Sequence, residues 1–149
     1  EGVQIRKKNM IAESDSETEE LKIQNLVVPG ETKWKQGCFT AKIYSYNGEK
    51  ILEKKNTKWF DCDKINCELT VRTRRSGDYM AVSQSGGHKK LTRCMIDDKI
   101  PGELRGKLPL VVDGNEVLWI VGGRINERYK ITSETGRVLE ITYQGGNVQ

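Results

Sequence analysis

The sequence predicts an α+β fold that is mostly antiparallel β-sheet and sandwich-like, with one or two short helices. Many short apolar stretches are separated by turn signals, and only a few residues show helical patterning. Two nearly unbroken apolar runs, at residues 108–112 and 117–121, flank a turn that contains an Asp-Gly pair. Because neither run alternates with polar residues, both are predicted to be strands covered on both faces. These two strands are therefore the expected centre of the core.

The first 20 residues differ in charge from the rest of the chain. They hold three cations against six carboxylates, a net charge of −3, whereas the whole chain carries +4. Residues 21–149 therefore carry +7. The acidic run at residues 13–20 lacks apolar periodicity and predicts a flexible leader or linker. A basic domain behind such a leader is compatible with nucleic-acid binding, although many inert domains carry a similar charge.

Residues 21–56 predict a β-rich lead-in, either part of the same unit or a separate small subdomain. A strand is expected at residues 21–28, before Pro29 and Gly30, and another at residues 39–46. Asn-Gly at residues 47–48 favours a hairpin whose partner strand is residues 51–55. Trp34 is expected either to pack inside this β unit or to lie at its rim.

From residue 68 the sequence alternates as a strand does. Leu69 and Val71 share one face, and Arg72 and Arg74 share the other. Adjacent arginines on one face repel each other unless solvent or an anion covers them. Two interpretations of this face therefore remain, a solvated outer face and an anion-binding face. Asp78 follows in a turn and is interpreted as a structural residue.

One short helix is predicted at residues 89–99, ended by Pro101, with a further helical turn at residues 101–104. Lys89, Lys90 and Arg93 fall within one arc of that helix, away from its apolar face. Six Arg or Lys residues and one carboxylate lie between residues 72 and 93, the densest cation cluster in the chain.

The segment after residue 121 combines two glycines with cations. Gly122 and Gly123 allow a sharp turn, a bulge or the close approach of a partner, and Arg124 follows directly. Arg128 and Lys130 are predicted on a strand, and residues 138–143 form the last one.

The composition argues against several functional classes. No C-x-x-C pair occurs among the four cysteines and the chain has one histidine, so a zinc site is not expected. Cys62 and Cys67 could pair in an oxidising compartment, but free thiols in a cytosolic protein are favoured. No apolar run approaches the ~20 residues of a membrane helix. The start at Glu1 suggests a domain from a longer protein.

Several motifs in fixed order between residues 57 and 143 carry a family resemblance. They are R-R-S-G-D at residues 74–78, G-G-H-K-K-L at 86–91, D-K-I-P at 98–101, Arg105, L-P-L at 108–110 and L-W-I-V-G-G-R-I at 118–125. Together they resemble the C-terminal domain of bacterial tRNA(Ile)-lysidine synthase. Gly102-Glu103 departs from the bulkier or more basic residues expected there. Residues 57–149 are assigned to this domain.

The resemblance implies a parent ligase that uses ATP and magnesium to join lysine to the anticodon cytidine of isoleucine tRNA. It implies a domain that grips the tRNA, including the acceptor region, with a sandwich of unusual topology shared with the phenylalanyl-tRNA synthetase β chain. The implied partners are tRNA, an N-terminal catalytic domain and a possible second copy of the parent in the cytoplasm. The Ser-Gly-Gly-His sequence at residues 85–88 resembles half of the family's ATP loop, but Lys89-Lys90 replaces Asp-Ser. This chain is therefore expected to hold no cofactor and no catalytic site.

The predicted RNA-binding residues are cations that three parts of the chain are hypothesised to bring to one surface. They are Arg72, Arg74, Arg75, Lys89, Lys90, Arg93, Lys99, Arg105, Arg124 and Arg128. The alternative is a docking domain of a multidomain enzyme that touches RNA little, which a large exposed apolar patch would favour.

Overall fold

The computed structural model of the protein describes residues 23–35, 37–51, 54–65, 68–83, 85 and 87–145. Within these residues the strands are β1 (Gln24–Asn25), β2 (Gly30–Trp34), β3 (Gly37–Ser45), β4 (Thr57–Asp61), β5 (Leu69–Arg72), β6 (Tyr79–Ala81), β7 (His88–Lys90), β8 (Leu110–Asp113), β9 (Glu116–Ile120) and β10 (Arg137–Gly145). The helices are α1 (Leu91–Asp97) and α2 (Gly102–Arg105), and two 3₁₀ turns span Cys62–Lys64 and Glu127–Tyr129. The predicted α+β, sandwich-like fold is confirmed.

Two sheets and a helical layer form the domain. The larger sheet has the order β1-β5-β8-β9-β6-β7, antiparallel except where β6 meets β9, and the smaller has the order β2-β3-β10-β4. The long strand β10 pairs with β3 along nine residues and with β4 on its other side. Because β2 and β3 come from residues 30–45 and β10 from the end of the chain, the small sheet joins the two halves of the sequence.

The β8–β9 hairpin is buried on both of its faces, which confirms the prediction from its unbroken apolar runs. On one side Val111 and Trp119 pack with Phe39 of the small sheet in the core cluster between the sheets. On the other side Val112 and Val117 pack with residues of α1. A bulge shifts the register from Val112↔Val117 to Val111↔Trp119, so Leu118 is the extra residue. Leu118 and Trp119 consequently both join the inter-sheet core.

Helix α1 begins two residues later than the sequence predicts. Lys89 and Lys90 belong to β7, where they pair with Met80 and Tyr79, and the helix starts at Leu91. The predicted helical arc of Lys89, Lys90 and Arg93 is therefore wrong, because only Arg93 lies on the helix. The predicted apolar face is confirmed, since the helix buries its apolar residues Leu91, Cys94 and Met95.

Three strand predictions also need correction. β3 pairs with β2 and β10 and makes no hairpin with residues 51–55, and the described residues of that segment form no strand. Within residues 23–28, the described part of the strand expected at residues 21–28, only β1 forms a strand, and β2 was not foreseen. Arg128 lies in a 3₁₀ turn instead of a strand.

Several sequence predictions fall outside the described residues. The leader at residues 1–20 and the partner cysteine, Cys67, are among them. No described helix is long and apolar enough to cross a membrane. Within the described ranges, no three His, Cys, Asp or Glu residues are grouped so as to hold a metal ion.

Candidate nucleic-acid interface

Six of the ten predicted RNA-binding cations lie on helix α1, on the strand before it, or in segments that adjoin the end of the helix. We call this set the α1 basic surface: Lys89, Lys90, Arg93, Lys99, Arg105 and Arg124. The first five of these cations lie in the segment that runs from β7 to α2, whereas Arg124 lies in the turn after β9. The same region holds three carboxylates, Asp97, Asp98 and Glu103, so its net charge is +3.

Two aspartates at the end of α1 tie separate elements together. The Lys89 Nζ atom lies 2.7 Å from Asp97 Oδ2. The guanidinium of Arg124 donates two hydrogen bonds to Asp98, one of them from Nε at 2.7 Å. Both pairs are about one-third exposed, so their electrostatic attraction is screened by water. These pairs bring a strand residue and a loop residue to the same end of the helix.

The charge around Asp97 shows which cations lie near one another. The hydrogen bond from Lys89 holds the pKa of Asp97 below its usual value, and the positive charges of Arg93 and Arg124 act in the same direction. Arg93 itself is exposed and makes no ion pair with any described carboxylate. Its guanidinium is thus available to a partner at the surface.

The connection from α1 to α2 positions Lys99 and Arg105. Lys99 has a φ of 60° and closes the end of α1, with its N–H bonded to the carbonyl oxygen of Ile96 at 2.9 Å. Arg105 donates from Nε to the carbonyl oxygen of Ile100 at 2.9 Å. That bond leaves the terminal amino groups of Arg105 without an ion pair to any described carboxylate.

Arg72 is not at the surface, which corrects the prediction that it binds RNA. Its side chain is 4% exposed, and its two terminal nitrogens each donate to Asp78 at 2.8 Å. Asp78 also accepts from the backbone N–H of Arg75 at 2.7 Å and from the amide of Asn115. The donors of Arg72 are therefore used inside the domain. Asp78 has the structural role that the sequence predicted for it.

Arg128 is largely engaged in a second internal network. It donates from Nε and Nη2 to the two carboxylate oxygens of Glu116 at 3.1 and 2.8 Å, and its guanidinium lies over the Tyr129 ring. Burial alone would raise the pKa of Glu116, but hydrogen bonds from Arg128 and Asn126 together lower it. Burial and the nearby carboxylates of Glu116 and Asp113 raise the pKa of the Tyr129 hydroxyl. This network fixes the loop after β9 to the β8–β9 hairpin.

The ten predicted cations therefore separate into groups. Arg72 and Arg128 belong to networks at the β8–β9 turn, through contacts with Gly114 and Glu116. Arg124 lies beyond the opposite end of β9, and β9, which separates the two positions, spans about 13 Å. Arg74 and Arg75 lie in the β5–β6 loop, where Arg75 is exposed and Arg74 half-buried. Since β5 ends at Arg72, the prediction that Arg72 and Arg74 share a strand face is wrong.

Sequence reasoning missed one cation and two carboxylates of this region. Lys55 lines a groove together with Lys99 and Gly122, although it precedes the stretch that carries the family motifs. Asp97 and Asp98 position cations of this region. The sequence does not show this role, because the partner of Asp98 lies 26 positions away. Nothing local in the sequence signals such a pair.

Comparisons with known proteins show which proteins this chain resembles. The family model described as the TilS substrate C-terminal domain matches residues 69–141. The tRNA(Ile)-lysidine synthase of Caldanaerobacter subterraneus subsp. tengcongensis is 35% identical over 138 residues, which are 91% of this chain and 30% of that protein. The tRNA(Ile)-lysidine synthase of Clostridium tetani is 43% identical over 88 residues, or 59% of this chain and 19% of that protein. The chain thus spans less than a third of the length of these relatives.

A solved structure supports the same relationship. The crystal structure of a TILS C-terminal domain superimposes with a TM-score of 0.66 at 26% identity, and the match covers 85% of this chain and 98% of that one. The matched fold includes strands upstream of residue 69, since it covers more of this chain than the family model does. With sequence, family model and fold in agreement, the chain belongs to the family of tRNA(Ile)-lysidine synthase C-terminal domains.

Proposed function

We propose that this domain binds tRNA for a tRNA(Ile)-lysidine synthase, a cytoplasmic ligase that joins lysine to the anticodon cytidine of isoleucine tRNA with ATP and magnesium. The domain grips the acceptor region of the tRNA and has no catalytic site of its own. The chemistry belongs to an N-terminal catalytic domain of the same polypeptide, and the parent enzyme can assemble as a homodimer. The names of the relatives support the tRNA substrate.

The observation that carries the proposal is the α1 basic surface. Lys90, Arg93 and Lys99 are exposed, and none of them is paired with a described carboxylate. Phosphate groups of an RNA stem attract such side chains by charge and without reading the sequence. An A-form stem offers its phosphates and 2′-hydroxyl groups in this way, because its deep major groove is closed to side chains.

The alternative function, docking with little RNA contact, has less support. The exposed large hydrophobic residues among those described are Val27 in the β1–β2 connection, Tyr44 on β3 and Ile96 on α1. A docking surface requires apolar residues that form one continuous patch. The residues that group together on the α1 basic surface are charged and not apolar.

Charge reversal on the α1 basic surface tests the proposal. Lys90→Glu and Arg93→Glu should each weaken binding of this chain to isoleucine tRNA, and each should lower the slope of log Kd against log salt by about one. Fluorescence anisotropy over a range of salt concentrations measures both quantities. Lys33→Glu, an equal charge change on the exposed side of β2, is the matched control and should leave both unchanged. Equal effects of all three variants, or no effect of any, would contradict the assignment.

A further inference from the structure

A groove beside the α1 basic surface has no role in the function proposed so far. It lies between the α1–α2 connection and the turn after β9, and its volume is about 510 Å³. Apolar side chains form much of its lining, and they are Ile100, Pro101, Leu104, Leu108 and Val121. A volume of this size holds a single small organic group and is too small for a double helix.

Cations surround this apolar lining. Lys55 and Lys99 line the groove from opposite parts of the chain, and both are exposed. The carboxylate in the lining, Asp98, is held in the bidentate pair with Arg124. The groove is therefore complementary to a ligand with an apolar part and a negative charge.

The backbone at the groove is open on the side of the glycine turn. Gly122 has a φ of 87°, and a Cβ atom built there would meet nothing within 4 Å. Its N–H has no hydrogen-bond partner among the described residues. A donor beside an apolar surface can bond the edge of a heterocyclic base.

Lys99 occupies a backbone conformation that favours glycine. Its φ of 60° is in the left-handed region, where a side chain adds strain that glycine would avoid. Lys35 is the other described non-glycine residue with a positive φ. A lysine retained at such a position is consistent with a use for its charge. The two lysines also offer a matched pair for substitution.

We propose that this groove binds one unpaired nucleotide from the single-stranded 3′ end of the tRNA. The base lies against the apolar lining, and its phosphate lies between Lys55 and Lys99. This inference rests on the proposed function, because an acceptor stem on the α1 basic surface brings its unpaired 3′ nucleotides next to the groove. Lys99 and Arg124 belong to the surface and also line or adjoin the groove, so a stem and its overhang can be bound together.

Binding of this chain to intact tRNA and to the same tRNA shortened by its unpaired 3′ nucleotides tests the inference. The wild-type chain should bind the shortened tRNA roughly tenfold more weakly, since the burial of one base against apolar side chains and one phosphate contact are lost. Lys99→Gly should weaken binding of intact tRNA roughly fivefold and lower its salt slope by about 0.7. The same variant should weaken binding of the shortened tRNA by a smaller factor, because only the contribution of Lys99 to the α1 basic surface is lost there. Lys99→Gly should melt no lower than wild type, because glycine relieves the strain at this position.

Lys35→Gly is the control, since it removes the same charge at the same kind of backbone position in the turn between β2 and β3, where Lys35 lies over the Trp34 ring. It should leave binding of both tRNAs unchanged. If Lys99→Gly weakens both tRNAs equally, or if Lys35→Gly has the same effect, the groove does not bind the overhang. If shortening changes nothing while Lys90→Glu still weakens binding, the inference fails and the proposed function stands. If the wild-type chain binds neither tRNA, the proposed function itself fails.

Discussion

Individual charged residues in this domain occupy two distinct environments that their type alone does not reveal. Arg72 and Arg93 are both arginines of the predicted RNA-binding set, yet one is buried and the other exposed. The difference is that Asp78 and the carbonyl oxygen of Gly114 meet the guanidinium of Arg72 inside the fold. A buried cation requires such partners, because its desolvation is otherwise very costly.

Removal of the carboxylate from this buried pair should destabilise the domain strongly. Asp78→Ala leaves the Arg72 guanidinium buried without its partner, at an expected cost of about 3–5 kcal/mol in the free energy of unfolding. Urea denaturation measures this cost. The matched control is Asp63→Ala, which removes the exposed pair with Arg137 at 3.3 Å and should cost less than about 1 kcal/mol. Similar costs for the two variants would show that Arg72 is not held as described.

At the scale of elements, the β8–β9 hairpin occupies the central position in the fold. It pairs with β5 on one side and touches β6 on the other, and its two faces contribute to both core clusters. The bulge at Leu118 adds a residue to the face that meets the small sheet. The turns at its two ends hold Arg128 in a network and present Arg124 to the α1 basic surface.

A charge placed in this hairpin should unfold the domain or nearly do so. Val112→Asp buries a carboxylate among the apolar contacts with α1, at an expected cost of at least about 3 kcal/mol. Ile96→Asp, on the exposed side of α1, is the control and should cost about 1 kcal/mol or less. Chemical denaturation followed by circular dichroism measures both. A Val112→Asp variant as stable as the control would mean that these strands do not form the core.

At the scale of the whole molecule, the first and last parts of the described chain are inseparable. Trp34 of β2 and Trp119 of β9 belong to the same core cluster, and β10 joins β3 to β4. Neither sheet can bury its inner face without the other. The strands between residues 24 and 45 thus share a core with the strands that carry the family motifs.

We therefore expect residues 21–149 to unfold in a single cooperative transition. Tryptophan fluorescence reports Trp34 and Trp119 of the inter-sheet core together with the partly exposed Trp59 of β4, and far-ultraviolet circular dichroism reports the backbone of the whole domain. The two signals should give the same midpoint and the same slope in urea. Two separated transitions would instead mean that the lead-in folds as a separate subdomain.

The sequence alone determined the features that depend on local pattern. Unbroken apolar runs predicted the doubly covered strands β8 and β9, alternation predicted the buried face of β5, and strands were expected where β3 and β10 lie. The boundary between β7 and α1 was predicted wrongly, because Lys89 and Lys90 suit either a strand or a first helical turn. Their pairing with Met80 and Tyr79, which local pattern does not encode, decides for the strand.

Only the tertiary structure decided which cations are buried and which carboxylates pair with them. The environment of each cation depends on carboxylates that are distant in sequence or hidden in turns, such as Asp98 for Arg124 and Asp78 for Arg72. Lys55 reaches the groove of Lys99 and Gly122 by the same long-range folding. Burial and pairing energies arise between residues that meet only when the two sheets and α1 pack together. Local sequence periodicity therefore predicts where cations occur, and packing decides which of them remain at the surface.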